Sequence, residues 1–432
     1  MKRTTISLLL ILFSITMVYS QQDTLIFKYR SLALDYQQSV KIAEKSLEGA
    51  NSLVEASKSS YMPRVDIDGN YKFFGNPVQL GVTEDSPAGQ ELSNMYEMGL
   101  WVNQPVFTGG YLKNTKNVAM AQSDVARSYV GISEQNTMLE ADASYLAVVA
   151  KKESSLLALQ YLEIILQFQQ VIQDRVDEEV VGMNELYQAK VRSNDAQYEV
   201  IRIDKEFRVS LMGLNRLIGV PLETESEHMD SLLVVDWEKP DGSNVEKALQ
   251  QRPEVSMKEN EMSANQYSEK VTASYYNPQL NIGAGATYGA PSPGLLSEPG
   301  ANYHVTARLV IPVFYWGQKN EKVFASQKIT EQTQLELERT MDIVALQVTS
   351  GYYELQRSQE QVNFASGALN NAEKNVEVMV DRYFEGLASV LEVLDAQLYW
   401  QKSYLNYIGA KYELNMAYST YLKAMGELSA MQ

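Results

Sequence analysis

A single spacing organises this chain. Pro105-Val106-Phe107-Thr108-Gly109-Gly110 returns 207 residues later as Pro312-Val313-Phe314-Tyr315-Trp316-Gly317. The same offset of 207 carries Arg175 to Arg382, Ala189 to Ala396 and Gly219 to Gly426. Upstream, Ala33-Leu34 matches Ala248-Leu249 and Pro63 matches Pro278, both at an offset of 215. The difference falls between Pro63 and Pro105, where residues 76–94, with their Gly, Pro and Ser, read as a loop. Chance does not hold one offset over more than a hundred residues, so the chain reads as two copies of one supersecondary unit. The first copy covers 21–220 and the second 248–432, with a linking segment at 221–247. Each copy is expected to run helix, β-hairpin (about 64–106 and about 279–313), then a long helical hairpin.

Proline placement supports those long helices. All 12 prolines lie outside 106–220 and 313–432, and the Pro-free stretches are rich in Ala, Leu, Glu, Gln and Lys. A long helix requires both conditions. After Glu392 the small and apolar positions run Val393, Ala396, Trp400, Ser403, Tyr407, Ala410, Leu414, Ala417, Tyr421, Ala424. Their alternating steps of three and four define a left-handed coiled-coil seam. Leu186, Ala189, Ser193, Ala196, Val200, Ile203 and Phe207 repeat it in the first copy. A helix of about 60 residues is about 90 Å long, too long for a compact core and suited to a tubular bundle.

Between the helices lie four segments with period-two alternation. Val65, Ile67, Tyr71 and Phe73 oppose Asp66, Asp68, Asn70 and Lys72. Tyr96, Met98, Leu100 and Val102 oppose Glu97, Gly99 and Asn103, with Trp101 as the exception on the polar side. In the second copy Leu280, Ile282, Ala284, Ala286 and Tyr288 oppose Asn281, Gly283, Gly285 and Thr287; Tyr303, Val305, Ala307, Leu309 and Ile311 oppose His304, Thr306 and Arg308. Each segment has the length of a tilted transmembrane strand, with aromatic ends suited to an interfacial girdle. Four strands cannot close a barrel, and an open edge in hydrocarbon leaves backbone groups unpaired. Several copies must therefore share one barrel, and geometry alone admits two, three or four.

Composition narrows the function. With no Cys and only His228 and His304, thiolate metal sites, cysteine nucleophiles and histidine-based centres have no material. No metal or other cofactor and no catalytic residue is expected. A net charge of −17 argues against a nucleic-acid partner. No uncharged apolar run of membrane-spanning length follows the N-terminus, which argues against a helical integral membrane protein. Residues 1–20 read as a secretory signal: Lys2 and Arg3, an apolar stretch from Leu8 to Val18, and small Ser20 before the cut.

The turn between the long helices carries a resemblance. Arg382-Tyr383-Phe384-Glu385-Gly386-Leu387-Ala388-Ser389-Val390-Leu391-Glu392-Val393-Leu394-Asp395-Ala396-Gln397 is similar to the R-Y-x-x-G-x-x-S-x-x-D-x-L-x-A-Q motif of the TolC-like outer-membrane efflux proteins. Arg175-Val176-Asp177-Glu178-Glu179-Val180-Val181-Gly182-Met183-Asn184-Glu185-Leu186-Tyr187-Gln188-Ala189-Lys190 is the first copy's version. The resemblance implies an α+β membrane protein: a homotrimer sharing a twelve-stranded transmembrane β-barrel in the bacterial outer membrane, above a long α-helical coiled-coil barrel in the periplasm. The segment 222–247 would belong to a belt around the tunnel. It implies a passive exit duct of a tripartite efflux or type I secretion system. The partners would be a periplasmic adaptor (membrane fusion) protein, an inner-membrane pump of resistance-nodulation-division or ABC type, and outer-membrane lipid.

Residue by residue, the resemblance places Glu392 and Asp395 at the narrow periplasmic entrance, where three copies would form acidic rings that favour cations and raise carboxyl pKa values. Glu185 matches an acidic residue of the neighbouring hairpin, and Tyr383 a tyrosine that latches the closed tip. Ala388 stands where a latch arginine is expected, so the latch does not transfer whole, and Arg382 or Arg175 are the available substitutes. Arg175, Gly182, Arg382, Gly386 and Ser389 mark the tips expected to meet the adaptor. Two other readings exist: a secreted structural coiled-coil protein without channel activity, whose strands pair in a soluble sheet, and an enzyme using Glu392 and Asp395 as paired carboxylates. The second has no substrate-binding cluster beside it. In the bland alternative those two acids are solvated charges at a helix start.

Overall fold

The computed structural model describes residues 22, 24–80, 90–237, 244–290 and 299–429. The expected signal segment, 1–20, lies outside the described residues. The elements run α1 (24–36), α2 (Gln38–Ser59), β1 (Arg64–Leu80), β2 (Gln90–Phe107), α3 (Tyr111–Asp177), α4 (Met183–Ile218), α5 (Val245–Gln251), α6 (Pro253–Ser274), β3 (Gln279–Ala290), β4 (Gly300–Val310), α7 (Gln318–Phe384) and α8 (Val390–Met425). The helices α3 and α7 have 67 residues each, and α4 and α8 have 36 each. Every boundary of the second pair lies 207 residues beyond its counterpart in the first: Tyr111 to Gln318, Asp177 to Phe384, Met183 to Val390, Ile218 to Met425.

The chain divides into two compact units, one made of 1–44, 129–255 and 339–432, the other of 45–128 and 256–338. Each takes material from both sequence copies. In the first unit Leu157, Tyr161, Ile165, Phe168 and Ile172 of α3 pack with Leu186, Ala189 and Ala196 of α4, Tyr383 of α7, and Val390, Val393, Leu394 and Trp400 of α8. One stretch of α3 is long and apolar enough by composition to cross a membrane. Its helix nonetheless buries side chains every three or four residues against protein, the pattern of a packed helix. The seam on α8 is buried at Val393, Ala396, Trp400, Ala410, Leu414, Ala417, Tyr421 and Ala424.

A second face of α8 is buried and polar, carrying Gln397, Gln401, Lys411, Asn415 and Ser419. It holds the segment that follows α4, which has neither helix nor strand between 223 and 237 and so needs other partners for its backbone. Lys411 Nζ bonds Glu153 at 2.7 and 2.9 Å and donates to the Leu232 carbonyl at 2.9 Å. The Leu232 N–H donates to Glu153 at 3.0 Å, and Asn415 donates to the Leu233 carbonyl at 2.9 Å. The helix ends of this unit stop alike: Gly219 and Gly426 both take φ of 77° as C-caps. A side chain at Gly219 would collide with the Tyr36 ring 2.1 Å away.

The second unit contains one antiparallel sheet in the order β1-β2-β3-β4. Its register aligns the alternation across all four strands. Val65, Val102, Ala284 and Val305 form one row, and Ile67, Leu100, Ala286 and Tyr303 the next apolar row. The polar rows alternate with them, including Arg64, Asn103, Gly283 and Thr306. The apolar face is uncovered, Tyr303 being 83% exposed. Strand pairing extends into the expected loop: β1 continues to Leu80 and β2 begins at Gln90, inside the stretch 76–94. A register shift between Phe73 and Val78 lets the ladder pass Pro77, which cannot donate to it.

Candidate functional site

The two turns between long helices are built on the same frame. In the second, the Leu387 N–H donates back to the Arg382 carbonyl at 2.8 Å, and Gly386 takes a φ of 74°. In the first, the Val180 N–H donates to the Arg175 carbonyl at 2.9 Å, and the left-handed position is Glu179, with φ of 60°. The position 207 residues before Gly386 is thus Glu179, and Gly182 corresponds instead to Ser389. Gly182 is the extended N-cap of α4 and offers no side-chain cap. The motif's glycine therefore has no glycine counterpart in the first copy.

At Ser389 the helix start is fully capped. Its Oγ accepts from the Glu392 N–H at 3.4 Å, while the Glu392 carboxylate accepts from the Ser389 N–H at 2.7 Å and from its hydroxyl at 2.8 Å. This reciprocal arrangement satisfies donors that the helix leaves free. The bonds from Ser389, backbone first and hydroxyl second, lower the Glu392 pKa, and the charge of Arg382 adds to the effect. In the single chain this is the opposite direction from that expected of crowded carboxylates. Asp395, one turn on, pairs with Arg192 of α4 at 3.4 Å. The two acids are neighbours on α8, yet one is committed to its own cap and the other to the adjacent hairpin.

Tyr383 is 3% exposed in the core where the four long helices meet. The Arg175 guanidinium lies 4.8 Å from the centre of its ring, and Arg175 Nη1 donates to the Tyr383 carbonyl at 3.3 Å. Phe168 meets the same ring edge-on at 5.2 Å. Burial raises the pKa of the Tyr383 hydroxyl, and the nearby Arg175 charge offsets part of that rise. Of the two arginines available for a latch, the structure places Arg175 on the tyrosine. Arg382 instead donates to the Leu387 carbonyl within its own turn at 3.4 Å. Glu185 occupies the first turn of α4, with its N–H bonded to the Gly182 carbonyl at 3.0 Å. Arg192 was not identified from sequence; its position one helix across from Asp395 appears only when α4 and α8 are docked. Among the described residues no cluster of His, Asp and Glu is arranged to hold a metal.

The chain combines long paired helices joined by such turns with a four-stranded sheet apolar on its uncovered face, a fold it shares with solved outer-membrane channels. Over 93% of its length the chain superposes on the Campylobacter jejuni CmeC outer membrane channel with a TM-score of 0.77, at 16% identity and covering 86% of that chain. It superposes likewise on the outer membrane protein VceC of Vibrio cholerae, with a TM-score of 0.78 over 93% of this chain and 96% of that one, at 14% identity. By sequence it is 19% identical over 386 residues to the solvent efflux pump outer membrane protein SrpC of Pseudomonas putida, spanning 87% of this chain and 79% of the relative. Residues 29–220 and 244–427 match the outer membrane efflux protein family, and the chain belongs to that family. It is an outer-membrane exit duct of tripartite efflux with a helical periplasmic part, and not an enzyme.

Proposed function

We propose that three copies of this chain close one twelve-stranded barrel in the outer membrane and one helical tunnel beneath it, forming a passive duct for substrates delivered by an inner-membrane pump and a periplasmic adaptor. The observation that carries the reading is the sheet. Its apolar rows are uncovered, and its order leaves β1 and β4 each with an unpaired edge. Each unpaired group would cost several kcal/mol in hydrocarbon, so β4 of one copy must meet β1 of the next. The resemblance to the TolC-like outer-membrane efflux proteins favours three copies. The shared offset of the helix boundaries supports an internal duplication covering 21–220 and 248–432. A secreted coiled-coil protein with a soluble sheet would have to cover that apolar face with its own chain.

In this assembly the stretches 76–94 and 289–302, read from sequence as loops, face the cell exterior, and the tips at Arg175, Gly182, Arg382, Gly386 and Ser389 face the adaptor; 81–89 and 291–298 within those stretches lie outside the described residues. Glu392 and Asp395 approach the threefold axis with Glu185 nearby, and the Arg175–Tyr383 contact holds the two hairpins of each copy together at that level. The pump is of resistance-nodulation-division or ABC type. Native mass measurement in mild detergent is expected to give three chains per particle; a monomer or dimer refutes the closure. A label supplied to intact cells should reach epitopes placed within 76–94 and within 289–302, and protection of both refutes the orientation.

A further inference from the structure

The polar face of the sheet holds a large aromatic side chain out of pattern, Trp101, and the strands around it are cut away to receive it. Trp101, Gly285 and His304 are cross-strand neighbours in one row, with Asp66 completing the row on β1. The indole lies down over the sheet. A Cβ on Gly285 would meet its six-membered ring at 2.5 Å, and a Cβ on Gly99 would meet its Nε1 at 2.6 Å. Any side chain at either position would evict it. Asp68 of β1 accepts a hydrogen bond from the indole N–H, fixing its direction, and the His304 ring lies 5.2 Å away at a 60° tilt. Four strands thus each contribute to bedding one flat ring, which remains partly exposed.

We infer that Trp101 is a stacking site for planar organic cations in transit through the barrel, with Asp68 supplying the charge. This rests on the proposed closure of the barrel, which turns the polar face toward the lumen and places three such sites around it. Charge selects the class of ligand. Within two rows of Trp101 the polar face carries Asp66, Asp68 and Glu97 against Arg64, and Arg64 is already paired with Asp66 at 2.7 Å. Arg308 on β4 also lies two polar rows away, so three acids stand against two arginines. The local balance is negative, and a Trp face is the strongest aromatic partner for a delocalised cation. A Trp serving only to cover sheet glycines needs no carboxylate on its N–H and no acidic neighbours.

The test uses the purified full-length channel in planar bilayers, with ethidium as the planar cation and tetraethylammonium as a cation without a flat face. Ethidium is expected to dwell in the wild-type channel longer than tetraethylammonium. Trp101→Leu keeps an apolar cover on both glycines without a π face and should shorten ethidium dwell by about two- to fivefold, the size of an exposed cation–π contact. Trp101→Phe should fall between, and Asp68→Asn should shorten ethidium dwell while leaving conductance in place. Tetraethylammonium dwell should not change with Trp101. Equal ethidium dwell in wild type and Trp101→Leu, or no difference between the two cations in wild type, overturns the site. If the leucine variant does not assemble, Trp101→Met, flexible enough to lie over both glycines, decides in its place. A wild-type protein that forms no channel refutes the duct itself, an outcome distinct from failure of this site.

Discussion

Lys411→Met is the substitution that the structure makes most consequential outside the turns. The Lys411 and Glu153 side chains are each 5% exposed. Replacing the lysine leaves the Glu153 carboxylate buried with the Leu232 N–H as its hydrogen-bond donor, and strips the Leu232 carbonyl of the lysine that donates to it. Breaking a buried pair from one side costs about 3–5 kcal/mol. The loss should appear locally, as release of the segment around Leu232 and Leu233 from α8. Hydrogen exchange at those two amides should accelerate by roughly two to four powers of ten in detergent-solubilised protein, each tenfold corresponding to about 1.4 kcal/mol. Adding Glu153→Gln removes the orphaned charge while keeping an acceptor for the Leu232 N–H. The double variant should therefore recover about 2 kcal/mol relative to Lys411→Met, with the Leu232 carbonyl the remaining deficit. Exchange in Lys411→Met within tenfold of wild type, or a double variant no slower than the single, refutes the reasoning.

The proposed acidic entrance gives a second expectation: Glu392→Gln with Asp395→Asn should abolish cation preference and multivalent-cation block in bilayers while native mass still shows three chains. Persistence of both properties returns the two acids to the role of cap and inter-hairpin pair. Arg175→Ala should loosen Tyr383 by about 0.5–2 kcal/mol, read as faster proteolysis near residues 176–182 than in Arg175→Lys, which keeps the cation. The lowered Glu392 pKa means that its cap contributes fully above the ordinary glutamate range and is lost as pH falls through the depressed value. Exchange at the start of α8 should accelerate only at those acidic pH values, and Glu392→Gln should remove the pH dependence.

What the sequence disclosed follows from periodicity. Helix boundaries at one offset, the seam from Val393 to Ala424 and the alternation of the four strands are local patterns that tertiary structure preserves. Partnerships between elements distant in sequence were not legible. Asp395 and Arg192 lie on different hairpins, and Lys411 and Glu153 are 258 residues apart; each has many equivalent charges along its own helix. The polar face of α8 is not legible in sequence, because a lysine and an asparagine at helical spacing suit a solvated face equally well. Trp101 was visible as an exception but not as a seated residue, since Gly99 and Gly285 acquire meaning only once the register aligns them. Glu179 was missed for a related reason: a glutamate gives no warning of a positive φ.

The two turns differ in the same direction at both of their critical positions. The second has glycine at its left-handed residue and a capping box at the start of α8; the first has Glu179 in the left-handed conformation and Gly182 where a capping side chain could stand. A non-glycine residue there costs about 1–2 kcal/mol, and the missing reciprocal cap leaves helix-start donors of α4 to water. The first hairpin is therefore the softer of the two, and any movement of the tips should begin there. Amides at 178–185 should exchange faster than those at 385–392. Glu179→Gly should slow the first set by about fivefold to tenfold, by relieving roughly 1 kcal/mol of strain. Gly386→Ala, at a position with nothing within 4 Å of an added Cβ, should accelerate the second set through its φ alone. Equal exchange at both turns in the wild type, or faster exchange in Glu179→Gly, would show that contacts between copies and not the turn backbones set tip stability.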